Sequence, residues 1–279
     1  MKSPYLRISV NSSCNLNCYF CHSDGNNRQD QELNRGDILL ATKLSKKVGM
    51  EKIKLTGGEP LLRKDICKII SDMKKIHPYV DLSMITNGTE LAKRASEISK
   101  AGLDRVTVSL DSLDPENYSK ICGSDRLEEV KMGLEEAKKA GLDPVKLNVV
   151  LSKHNITELE KFVDFANSNG YMLRFLEMIP YNEKAKNAKI SEESIHNRLM
   201  DIFDDFEDIN EHGTQLLLYR SGENQARVKK KVVDPGEGDY LRLTADSILK
   251  PNLNEKGSIE LRKNGIPETN FHSALRSKL

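Results

Sequence analysis

The chain has 279 residues, of which 38% are hydrophobic and 30% charged, and its net charge is +1. That length suits one large α/β domain or two small ones, and the balanced charge gives no electrostatic case for a DNA or RNA partner. No run of about 18 apolar residues and no signal-peptide core occurs, so no membrane span and a cytoplasmic location are expected.

The first predicted strand is Tyr5–Val10. Immediately after it come Cys14, Cys18 and Cys21, in the spacing C-x3-C-x2-C. Thiolates are soft ligands that favour iron–sulfur clusters, zinc or copper(I). Three of them on one loop can hold three corners of a cubane and leave a fourth iron open. A zinc knuckle completed by His22, or a chance grouping, is the plainer alternative. The chain's five cysteines are an odd number, which in a reducing compartment argues for metal ligation or free thiols. Cys67, on a predicted helix, and Cys122, in a predicted loop, read as ordinary free thiols.

Further strands are predicted at Lys52–Thr56, Asp81–Thr86, Arg105–Leu110, Val145–Leu151 and Met172–Glu177. Amphipathic helices are predicted at Arg35–Val48, Lys64–Ile76, Leu91–Ala101, Arg126–Ala140, Ile156–Asn169 and Ser191–Asp208. Gly102 and Gly141 sit just past helix ends, as C-cap glycines do. Six βα units in series imply a parallel sheet with right-handed crossovers. The predicted fold is α/β, a partial (β/α)6 TIM-like barrel over 1–210, with a small C-terminal extension over 211–279 covering its open side. Such a barrel carries its site at the C-terminal strand ends.

The second strand ends in Thr56-Gly-Gly-Glu-Pro60, where glycines allow close backbone approach and Glu59 offers a carboxylate to an ammonium group. Asn87 ends the third strand, and Ser109 and Asp111 the fourth; the asparagine and aspartate could be turn formers only. Lys52 and Lys54 alternate with Ile53 and Leu55, so one strand face is basic. That is unusual for a buried strand unless a ligand or carboxylates neutralise it.

Past residue 210, short extended segments at Leu216–Arg220, Arg227–Val233, Tyr240–Thr244 and Ser258–Leu261 lie among Gly, Pro and Asn. Lys229–Lys231 reads as a solvated run.

With Phe20 before its last cysteine, the cysteine loop resembles that of the radical S-adenosylmethionine (SAM) superfamily. The resemblance implies an enzyme with a [4Fe–4S] cluster on Cys14, Cys18 and Cys21 and with SAM on the open iron. Its implied SAM contacts are Phe20, Gly57, Gly58, Glu59, Thr86, Asn87, Ser109 and Asp111. The segments Tyr5–Val10, Leu55–Asp65, Gly102–Pro115, Gly141–Val150, Leu173–Glu177 and Leu241–Asp246 resemble GTP 3′,8-cyclase, over residues 4 to 253. By that resemblance Arg7, Lys52, Lys54, Lys146, Arg174 and Arg242 hold a triphosphate, and Tyr240 stands at a further basic position. The family's second cluster uses three C-terminal cysteines, and the matching positions here are Pro235, Gly238 and Asn252. A single cluster is therefore expected, with an anionic, nucleotide-like substrate and an electron donor such as flavodoxin or ferredoxin. Three rival readings are true GTP 3′,8-cyclisation, radical chemistry on a peptide or other metabolite, and a non-catalytic SAM- or nucleotide-binding regulator.

Overall fold

The computed structural model describes residues 5–22, 31–211, 214–222, 224–229, 240–250 and 259–260. Pro235, Gly238, Asn252 and most of the lysine run lie outside them. Six strands alternate with helices as predicted: β1 (Tyr5–Ser9), β2 (Lys52–Thr56), β3 (Asp81–Thr86), β4 (Arg105–Ser109), β5 (Lys146–Leu151) and β6 (Met172–Glu177). The intervening helices are α1 (Arg35–Lys47), α2 (Ile66–Ile76), α3 (Leu91–Lys100), α4 (Pro115–Cys122), α5 (Leu127–Lys139) and α6 (Leu159–Asn169). After β6 come α7 (Glu183–Ala188) and α8 (Glu192–Met200). The remaining strands are β7 (Asp205–Glu211), β8 (Thr214–Ser221), β9 (Asn224–Lys229), β10 (Tyr240–Leu243), β11 (Ile248–Lys250) and β12 (Ile259–Glu260).

The strands form one twelve-stranded sheet, ordered β12-β11-β10-β1-β2-β3-β4-β5-β6-β9-β8-β7. β10 pairs parallel with β1, and β9 pairs parallel with β6. The C-terminal part thus lengthens the six-strand sheet at both edges.

Elements β7 and α4 were not predicted. Helix 191–208 stops at Met200, and residues 205–211 instead form β7. Ile202, Phe203 and Phe206 mimic helical spacing, but seven register partners on β8 decide the outcome. The signals for α4 are ordinary: Asp114 accepts a hydrogen bond from Asn117 N (2.9 Å), and Pro115 opens the helix. Cys122 therefore ends a helix instead of lying in a loop.

The sheet has two unlike faces. Leu6, Ile8, Ile53, Leu55, Leu82, Met84, Val106, Val108, Leu147 and Val149 are all fully buried in the main core. Strand alternation puts Arg7, Lys54, Ser83, Thr107, Asn148 and Arg174 on the other face. Parallel sheets are usually apolar on both faces. Here one side carries the hydrophobic burial and leaves the other for polar work.

Candidate functional site

The cysteine loop leaves β1 at its C-terminal end and is held from two sides. From β2, Gly58 N donates to Asn11 O (3.0 Å) and Glu59 N to Ser13 O (2.7 Å). Asn11 Nδ2 returns a bond to Glu59 O (2.9 Å). A Cβ on Gly58 would stand 2.2 Å from Ser13 O, and one on Gly57 2.3 Å from Asn11 Oδ1. The close approach that the two glycines permit is thus to the cysteine loop. From α4, Cys122 O accepts from Asn17 N (2.9 Å) and Ile121 O from Tyr19 N (3.1 Å).

Cys14 and Cys21 are exposed, and Cys18 is half-buried. Among the described residues, no group of three or more His, Cys, Asp or Glu is gathered tightly enough for one metal ion. A cubane asks for less convergence, because each thiolate takes a different iron. The donor set therefore fits a [4Fe–4S] cluster: three soft ligands on one anchored loop, two of them open to solvent. Asn87 Nδ2 lies 3.8 Å from Cys14 Sγ and 2.8 Å from Asn15 Oδ1. Thr89 Oγ1 donates to Asn87 Oδ1 (2.7 Å) and accepts from Asn15 Nδ2 (2.9 Å). Asn87 thus orients a cysteine loop residue, a role its turn position did not reveal. Phe20 meets Tyr19 edge-on at 5.4 Å and packs on Met178, Ala185 and Ala188. His22 packs against the Tyr181 ring at 4.9 Å.

Glu59 is fully buried. Its Oε1 accepts from Leu61 N (2.9 Å) and Thr86 Oγ1 (2.7 Å), and its Oε2 from Asn87 N (2.7 Å). Burial lifts its pKa to about 7, against the pull of those three donors. The carboxylate joins the end of β2 to the end of β3. Asp111 is also buried, its pKa lifted to about 7 for the same reason, and its Oδ1 accepts from Val150 N (2.7 Å). Ser109, half-buried, sits beside Asn148 in register.

The predicted cations line the inner face of the sheet below its C-terminal strand ends, at several registers. Arg242 pairs with Arg7, Arg7 with Lys54, and Lys54 with Ser83, which pairs with Arg105. Lys146 pairs with Thr107, and Arg174 lies between Asn148 and Arg227. Lys52 pairs with Asp81 one step lower, and Asp81 also accepts from Arg105 Nε (2.9 Å). The register adds Arg105 and Arg227, which the sequence analysis missed, although both alternate with apolar neighbours. Lys54 has its pKa lowered to about 7, first by burial and then by Arg7, Arg174, Arg105 and Lys146. Its ammonium lies 5.4 Å above the Tyr5 ring. Tyr5 stacks on Tyr240 (5.3 Å between centroids), and the Arg242 guanidinium lies 6.0 Å from the Tyr240 ring. A cavity of about 330 Å³ lined by His196, Phe206 and Tyr219 opens on the opposite, helix-bearing side of the sheet.

A parallel α/β sheet with a cysteine loop at its rim and cations on its inner face is the build of a barrel enzyme. Comparison with known proteins narrows this. Residues 8–166 match the radical SAM superfamily, and the chain belongs to it. A probable GTP 3′,8-cyclase of Methanococcus aeolicus is 37% identical over 266 residues, covering 89% of this chain and 84% of that one. One from Methanocaldococcus jannaschii is 35% identical over 264 residues, with 89% and 84% covered. Among solved structures, Streptococcus suis SuiB bound to S-adenosylmethionine matches with a TM-score of 0.71 at 15% identity. That match covers 95% of this chain and 65% of SuiB, and it supports the fold. The chain is thus a radical SAM enzyme, similar in sequence to GTP 3′,8-cyclases, and the family's cofactors are SAM and a [4Fe–4S] cluster.

Proposed function

We propose that this enzyme abstracts hydrogen from a phosphorylated, nucleotide-like substrate, with one [4Fe–4S] cluster on Cys14, Cys18 and Cys21. When bound, cluster and SAM together supply a 5′-deoxyadenosyl radical. The chain's own residues place the reactants. Gly57, Gly58 and Glu59 fix the cysteine loop against the end of β2, while Thr86, Asn87, Ser109 and Asp111 shape the rim where SAM would lie. Arg7, Lys54, Lys146, Arg174 and Arg242 hold the substrate anion, with Lys52 and Tyr240 at its margin. Strands β8–β12 border the open side, and a flavodoxin- or ferredoxin-like donor delivers the electron.

The carrying observation is the set of cations gathered on the inner face beneath the loop, close enough for Arg7, Arg174, Arg105 and Lys146 to lower the pKa of Lys54. Arg7 and Asn11 are four residues apart, a rise of about 13 Å along an extended chain. That span suits a molecule whose phosphates meet these cations and whose sugar reaches the rim. Guanidinium and ammonium groups give phosphate charge-assisted hydrogen bonds. A set drawing on β1, β2, β5, β6 and β10 fits a polyphosphate better than a single charge.

The test is an anaerobic assay with reconstituted protein, SAM, reductant and a panel of nucleoside triphosphates. Nucleotide-stimulated 5′-deoxyadenosine is expected, and it should vanish when Cys14, Cys18 and Cys21 become alanine. Turnover stimulated by peptides alone, with no response to any nucleotide, would overturn the substrate class. The relatives' names favour a second reading, GTP 3′,8-cyclisation itself. Detection of the cyclic product from GTP decides for it, and Pro235, Gly238 and Asn252 in place of thiols weigh against it.

A further inference from the structure

Cys122 stands close to the cysteine loop. Two backbone bonds, Asn17 N to Cys122 O (2.9 Å) and Tyr19 N to Ile121 O (3.1 Å), lay the loop along the end of α4 with Cys18 between them. Gly123 ends the helix at φ 66°, and a Cβ there would stand 3.1 Å from Asn17 O. Cys122 is 2% exposed. The neighbouring Cys122 thiol, ahead of burial, is the first cause that holds the Cys18 thiol above its ordinary pKa. Segments about a hundred residues apart in sequence thus present two thiols to one another across a fixed backbone contact. Nothing in the proposed chemistry uses Cys122.

We propose that, in the cluster-free protein, Cys18 and Cys122 form a reversible disulfide that withholds one cluster ligand until a dithiol reopens it. The proposal rests on the reading of Cys18 as a cluster ligand. The oxidant is a small-molecule disulfide. Exchange at the more accessible Cys18 gives a mixed disulfide and releases one small thiol. Attack by the Cys122 sulfur then forms the Cys18–Cys122 bond and releases the second. The two protein thiols lose two electrons and two protons, which end on the two small thiols. A dithiol reverses both steps. With iron on Cys18 the first exchange has no free sulfur to work on, so the lock acts only on the empty loop.

A rival pairing is Cys18 with Cys21, whose N–H donates to Cys18 O (3.0 Å). Peptide mapping separates the two. Trypsin leaves Cys14, Cys18 and Cys21 in one peptide, residues 8–28, and Cys122 in another, residues 121–126. The full-length cluster-free chain is incubated with oxidised glutathione, alkylated, digested and weighed. The expected result is a covalent pair of those two peptides, with loss of Cys122 alkylation. The pair should persist when Cys14 and Cys21 are both alanine and disappear in Cys122→Ser. Iron and sulfide uptake by the oxidised wild type should then require a dithiol. A loop peptide bridged within itself, with Cys122 still fully alkylated, overturns the proposal. Should reduced wild type take up no iron, the cluster reading falls, while the disulfide is still judged by the mass spectrum alone.

Discussion

Among single residues, Lys54 carries a sharp prediction. Its depressed pKa reflects burial and neighbouring positive charge. A bound polyanion offsets that repulsion and raises the pKa above about 7. Affinity is then fully present below the free value and falls as pH rises through the bound one, with a limiting slope of about tenfold per unit for one linked proton. Nucleotide Kd measured from pH 6 to 9 should show this loss, and Lys54→Met should flatten the profile at weaker affinity. A second prediction concerns Gly58. An alanine there would drive Cβ into Ser13 O, a backbone atom. Gly58→Ala should cost about 1–3 kcal/mol in urea unfolding, the usual penalty of overpacking, and lower iron retention in the same samples. The sequence made these glycines legible as sites of close approach. It could not say to what, because Asn11–Ser13 belongs to the loop after β1, more than forty residues earlier. Glu59 was legible as a carboxylate in the right place, but two of its three donors, Thr86 Oγ1 and Asn87 N, depend on β3 arriving alongside.

At the level of elements, the alternating strands and amphipathic helices were readable because each buries one face on the main core. α4 and β7 were not. α4 has only eight residues, so its apolar period is too short to register beside its capping aspartate. β7 lies at the outer edge of the sheet, and its exposed Phe206 gives no buried stripe to read. The cation set was half legible: Lys52 and Lys54 declared a basic face, but the meeting of Arg242 with Arg7, and of Arg227 with Arg174, needs strand order. β10 brings in both Arg242 and Tyr240. A chain ending at residue 229 should therefore keep β1–β9 but lose one guanidinium and bare the edge of β1. Weaker nucleotide binding, by at least about tenfold for a lost charge-assisted contact, and concentration-dependent association in light scattering are the expected readouts.

For the whole molecule, the division of the sheet into an apolar face and a cationic one separates stability from binding. The described residues contain no helix long and apolar enough to cross a membrane. Added salt should weaken nucleotide binding markedly, since these cations act through charge, while leaving the urea midpoint nearly unchanged. Iron content after anaerobic reconstitution should approach four per chain, as one cubane requires, and about eight would restore a second cluster. Tyr5 sits beside Tyr240, so β1 finds its outer neighbour only after more than two hundred intervening residues. On the ribosome, β1 must wait with a bare edge while those residues are made. A nascent chain of this kind is exposed to sticking during synthesis, and chaperone dependence should be governed by the emergence of β10.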